Sequence, residues 1–145
     1  MIFSFFGGMG MSVLKSDRDT SEIEFLNNAR KLEIFTIQKC VSTIPKRYTF
    51  YIGNHLADSA HEIYSNAVRG NSIYPTNKHE AQMRKDYFTK AVIEARNLVS
   101  QIELAHEMLH FDVKVMREWM KLVSDEIALL KGVIKKDQAR YKNLD

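Results

Sequence analysis

The chain has 145 residues and a mass of 16.8 kDa, enough for one domain with a sizeable core and short for a two-domain enzyme. With 45% apolar and 27% charged residues it is globular rather than disordered or collagen-like, and two prolines and six glycines are too few for a sandwich or barrel, so long helices are expected. The net charge of +3 is concentrated late, with eight basic against six acidic residues in 111–145, which permits binding to a polyanion without requiring it.

The opening MIFSFFGGMGM is apolar but only eleven residues long, against the roughly 20 needed to span a bilayer. Residues 1–20 are therefore assigned to an N-terminal tail, 21–140 to one bundle domain and 141–145 to a C-terminal tail. The single Cys40 has no partner for an internal disulfide, and no signal peptide is recognisable. The expectation is a protein of the reducing cytoplasm.

Ser21-Glu22-Ile23-Glu24 has the form of a capping box and starts a first helix near 22–43. Its inner stripe is read as Ile23, Leu26, Ile34, Ile37, Val41 and Ile44, and Pro45 ends it. A second helix near 46–69 follows from Pro45 in its first turn, with Ile52, Leu56, Ala60, Ile63 and Ala67 inward and Gly70-Asn71 closing it. Asn77 and Glu80 form a second cap signal, opening a long third helix near 78–110 with Ala81, Phe88, Ala91, Ala95, Leu98, Ile102, Ala105 and Leu109 inward. Asp112 caps a fourth helix near 113–138, whose inner stripe reads Val113, Met116, Trp119, Met120, Val123, Ile127, Leu130 and Ile134. Four helices with short connections predict an all-α, up-and-down antiparallel four-helix bundle.

Two helices carry a second apolar stripe: Val115, Leu122 and Leu129 on the fourth, and Phe25, Leu32 and Phe35 on the first. Such a surplus predicts burial against another subunit, so these six residues are the expected interface of a homo-oligomer.

Four patterns bear on chemistry. His106-Glu107-Met108-Leu109-His110 matches H-E-x-x-H, which on a helix puts two imidazoles on one face for zinc and a glutamate beside them as general base. The metzincin continuation fails, because Val113 stands where its glycine would be, and no strand is expected to align a substrate. Glu103-x-x-His106 and Asp58-x-x-His61 resemble halves of a di-iron site, but Glu33 and Glu118 fall off the inner stripes. Cys40 lies within an apolar stripe, without a neighbouring histidine to activate it. No phosphate-binding glycine loop and no G-x-S-x-G is present. The expectation is a non-enzymatic protein with no catalytic residues, no metal and no cofactor, with a small metal-dependent hydrolase as the competing class.

The basic residues of the fourth helix are more informative. Lys114, Arg117, Lys121, Lys131 and Lys135 fall within about 100° on a helical wheel, while Glu118 and Asp125 are read as lying on a different side. A regular cationic strip suits phosphate contacts, which need positive charge rather than base-specific geometry. Lys46, Arg47 and Arg140 are secondary candidates.

Ile44-Pro45-Lys46, Phe50, Ile52-Gly53, Leu56, Ala60 and Glu62-Ile63, together with Trp119 to Ile134 including Asp125-Glu126-Ile127 and Leu130-Lys131-Gly132, resemble a known family. It is that of the accessory variability determinant proteins of diversity-generating retroelements and their relatives encoded in 23S ribosomal RNA intervening sequences. The resemblance covers roughly residues 22–138. It implies a four-helix bundle assembled as a homopentameric barrel, a basic exterior that binds DNA or RNA and, in the retroelement branch, partnership with a reverse transcriptase. It implies no metal role for 106–110.

Overall fold

The computed structural model describes residues 20–145, with side chains from Ile23 onward. The expected N-terminal tail, apart from Thr20, and the Ser21 side-chain cap lie outside the described residues. Four α-helices form among the described residues: α1 (Thr20–Ser42), α2 (Asn54–Asn71), α3 (Lys78–Leu109) and α4 (Val113–Arg140). Among the described residues there is no strand, and no helix is long and apolar enough to cross a membrane.

Each helix packs antiparallel to its neighbour in a closed ring. Glu33 meets His61 and Cys40 meets Gly53 between α1 and the start of α2. Asn97 meets Ser59 between α3 and α2, Arg84 meets Asp137 between α3 and α4, and Asn28 meets Glu126 between α1 and α4. The all-α bundle expected from periodicity is what the chain forms.

The caps act as read from the sequence. Asn77 accepts from the Glu80 N–H at 2.9 Å, and Glu80 reaches back to the Thr76 N–H at 2.8 Å. That backbone hydrogen bond, followed by one from the Thr76 hydroxyl, holds the Glu80 carboxyl below its usual range. Asp112 accepts from the Lys114 N–H at 2.8 Å, and His110, in the left-handed conformation at φ 50°, turns the chain from α3 into α4.

Two expectations need correction. The second helix does not start at residue 46: a 3-10 turn (Lys46–Tyr48) and a single π-turn (Thr49–Gly53) precede α2. Pro45 has no N–H to give, and its carbonyl accepts instead from the Tyr48 N–H at 2.8 Å, tightening the chain before the α-helix begins. The helix closes at Gly70-Asn71 as expected, and Gly70 does so without a left-handed backbone. It lies inside the helix, where a Cβ would stand 2.5 Å from Phe88 Cε1, so its role is to admit that ring.

The second correction concerns α1, whose faces are inverted. Phe25, Ala29, Leu32 and Thr36 are fully buried, while Ile34, Ile37 and Val41, read as the inner stripe, are 48%, 46% and 81% exposed. Both stripes are apolar, so hydrophobicity alone does not choose between them. The choice follows the rings: Phe25 packs edge-on to Phe88 at 5.3 Å, Phe35 edge-on to Trp119 at 5.9 Å, and Thr36 Oγ1 accepts from Trp119 Nε1 at 2.9 Å. A buried indole N–H left without a partner would cost about 1–3 kcal/mol, and only this face of α1 supplies one.

The core falls into two apolar clusters, one around Leu32, Leu56, Leu98, Ile102 and Trp119, the other around Phe25, Phe88, Leu130 and Val133. Along α4 the fully buried Glu126 separates them, between Val123 and Leu130.

Candidate nucleic-acid interface

The buried residues of α4 are Trp119, Val123, Glu126, Leu130, Val133 and Asp137, at steps of four and three. Lys114, Arg117, Lys121, Lys131 and Lys135 are all exposed and lie on the opposite side of the same helix. From Lys114 to Lys135 the helix rises about 31 Å, close to one turn of duplex at about 34 Å.

Lys121 Nζ lies 2.8 Å from Asp125 Oδ2, one helical turn on. Asp125 therefore borders the strip instead of lying on a different side. Both side chains are exposed, at 75% and 47%, so the pair is weak and open to exchange with a competing anion. Lys114, Arg117, Lys131 and Lys135 have no carboxylate partner among the described residues. The secondary candidates sit at opposite ends of the bundle. Lys46 and Arg47 are exposed in the 3-10 turn at the end where α4 begins, with Arg47 5.0 Å above the Tyr48 ring, and Arg140 lies 5.8 Å from the Tyr141 ring where α4 ends.

The expected subunit interface is largely used within one chain. Phe25 and Leu32 are fully buried and have no surface left for a partner. Phe35, Val115 and Leu122 are half-buried against the first core cluster and Leu129 against the second. On α4 the second stripe is thus a wider core edge on the side facing α1. Apolar side chains are left in water at Ile34, Ile37 and Val41 on α1 and at Phe50 and Tyr51 in the π-turn, 73% and 70% exposed, and also at Ile93, Leu104 and Met108 on α3 and at Val113, read as inward, on α4. Ile37 and Val41 share a groove of about 400 Å³ with Ile44, Thr49 and Ala57. Cys40 borders it, its Sγ 3.4 Å from the Gly53 carbonyl, and burial pushes its thiol up to about 11, away from the thiolate a nucleophile needs.

At 106–110 the His106 and His110 rings stand 6.4 Å apart edge to face, and His106 packs edge-on to Phe111 at 5.0 Å. Glu107 and His110 are exposed, and no group of three or more His, Cys, Asp or Glu side chains is placed to hold a metal among the described residues. Glu33 accepts or shares a proton with His61 Nδ1 at 2.9 Å, while Asp58 and Glu103 face solvent.

Two buried polar sites escaped the sequence reading. Arg84 Nε lies 2.7 Å from Asp137 Oδ2, and Arg84 Nη1 also donates to the Ile73 carbonyl at 3.1 Å. Glu126 Oε1 accepts from Asn28 Nδ2 at 3.1 Å, while its Oε2 is buried without a hydrogen-bond partner among the described residues. The signal was present: Arg84 continues the Phe88, Ala91, Ala95 stripe backwards, and Glu126 and Asp137 fall on the Trp119, Val123, Leu130 steps. A charge at a core position of the helical repeat marks an internal pair or a neutralised carboxyl. No protein-family model, curated protein or solved structure matches this chain.

Proposed function

We propose that the protein is a non-enzymatic, oligomeric nucleic-acid-binding accessory protein, a partner of a reverse transcriptase in a diversity-generating retroelement. The observation that carries the nucleic-acid reading is the exposed strip of Lys114, Arg117, Lys121, Lys131 and Lys135 directly opposite the buried face of α4. Such a strip contacts phosphates and sugars without reading bases, so DNA, RNA and hybrid duplex are all ligands. The reverse-transcriptase partner and the five-subunit ring rest on the resemblance of 44–63 and 119–134 to the accessory variability determinant family. The apolar surface for assembly is the outer face of α1, at Ile34, Ile37 and Val41, with the neighbouring π-turn. A ring multiplies a modest strip through avidity, which suits a chain of net charge +3.

The test is charge reversal at Lys114, Arg117, Lys131 and Lys135, with binding to labelled DNA, RNA and hybrid followed by fluorescence anisotropy. Loss of all three together is expected; unchanged binding contradicts the assignment of this face. The competing reading, a metal-dependent hydrolase on 106–110, requires stoichiometric zinc or iron in untagged protein, and elemental analysis is expected to find neither. Gene neighbourhood separates the two branches of the family: a reverse transcriptase beside a variable repeat, or a ribosomal RNA operon.

A further inference from the structure

We infer that the groove between the first turns of α3 and the last turns of α4 is a two-sided phosphate cleft that receives the backbone of a nucleic-acid strand and extends the α4 strip onto α3. The inference rests on the nucleic-acid reading and adds α3 residues and a path to it.

The groove has a volume of about 170 Å³ and is bordered by Lys78 and Lys85 on α3 and by Lys142 beyond the end of α4. Its size is below the roughly 300 Å³ of a small-molecule pocket, so it suits a phosphate group and its sugar rather than a whole free nucleotide. Lys78, Lys85 and Lys142 have no carboxylate partner among the described residues. The carboxylate that lines the groove, Asp137, is held by Arg84 at 2.7 Å and does not cancel them. Asp86 accepts from Gln82 Nε2 at 2.8 Å along α3, and Asp145 approaches Lys78 through its backbone oxygen, which accepts the Lys78 N–H at 2.8 Å. The first amide of α3 is therefore occupied, and the cleft depends on its lysines rather than on the helix end.

Continuity with the strip comes from helical phase. Lys131, Lys135 and Gln138 follow at steps of four and three, forming one exposed ridge along α4 whose last member, Gln138, lines the groove into which Lys142 projects. On the other wall Lys78, Gln82 and Lys85 share one face of α3 at the same spacings. A backbone laid on this ridge passes between cations on both sides, where a strip alone offers cations on one side. The amide at Gln138 adds a neutral donor suited to phosphate and sugar oxygens, while that of Gln82 already donates to Asp86.

The experiment uses the full chain, a fluorescein-labelled 20-nucleotide single strand and a 20-base-pair duplex, with anisotropy measured from low to moderate salt. Lys78→Gln with Lys85→Gln should lower affinity roughly tenfold or more at 0.1 M salt and make the slope of log K against log salt shallower by about 2. Lys142→Gln, at an exposed position, should change the slope by about 1 in the same direction. Lys78→Arg with Lys85→Arg should restore both readouts, and circular dichroism should be unchanged throughout. Wild-type affinity and slope in both glutamine variants, alongside weakened binding by the α4 charge reversal, would overturn the cleft while leaving the strip in place. Absence of binding by the wild-type chain would overturn both.

Discussion

Arg84 on α3 and Asp137 on α4 form an ion pair 2.7 Å long, with side chains only 5% and 11% exposed. The same guanidinium donates to the Ile73 carbonyl just after α2 and lies 5.0 Å above the Phe88 ring, so one side chain ties three helices together at the end of the bundle. It also neutralises Asp137, the one carboxylate lining the α3–α4 groove among the described residues.

Removing either partner leaves a buried charge uncompensated. Asp137→Ala should therefore destabilise the fold by about 3–5 kcal/mol in urea unfolding, whereas the joint change Arg84→Met with Asp137→Leu should cost much less than the sum of the single changes. Additive costs would show that the pair acts through packing alone.

Glu126 sets a pH dependence of defined sign. Burial, opposed only in part by the Asn28 hydrogen bond, pushes its carboxyl from an ordinary 4.5 up to about 8. In that window the folded chain holds a proton that the unfolded chain has released, so this group's contribution is fully present below pH 4.5 and is lost as pH rises through about 8. Glu126→Gln keeps the acceptor for Asn28 and cannot ionise. Its Tm should exceed that of the wild type at pH 8 and show a flatter profile between pH 5 and 8; parallel profiles would contradict the buried neutral acid.

Gly70→Ala isolates the close approach of α2 and α3. The new Cβ would stand 2.5 Å from Phe88 Cε1 and 2.7 Å from Cδ1, and that ring is held edge-on by Phe25. Overpacking of about 1–3 kcal/mol should outweigh the roughly 1 kcal/mol that alanine gains in a helix, giving net destabilisation in urea. A more stable variant would mean the ring yields freely.

The number and order of helices, the caps at Asn77 and Asp112 and the inner faces of α2 and α3 were legible because periodicity and capping chemistry agreed there. The inner face of α1 was not, since Phe25–Leu32 and Ile34–Val41 are both apolar stripes and the deciding contact, Thr36 to Trp119, spans 83 residues of sequence. Wheel phase placed the α4 strip correctly but misjudged Asp125, which lies close enough in angle to pair with Lys121. The grouping of Lys78 and Lys85 with Lys142 was invisible, because only the antiparallel packing of α3 on α4 brings them to one groove.

That inversion also changes which residues test assembly. Ile37→Glu with Val41→Glu should lower the mass seen by light scattering while helicity and Tm stay near wild type, because both side chains already meet water in the single chain. Leu122→Glu with Leu129→Glu should instead lower Tm, since both pack against the core. The reverse pattern would return the interface to α4.

The central claim is a sequence-indifferent phosphate interface on α4, and the salt dependence of wild-type binding tests it most directly. With four or five cations engaging phosphates, log K for a 20-base-pair duplex should fall against log salt with a slope steeper than about −3, and DNA, RNA and hybrid should give similar slopes. Binding that is flat in salt, or confined to one base sequence, or absent at 50 mM salt would contradict it.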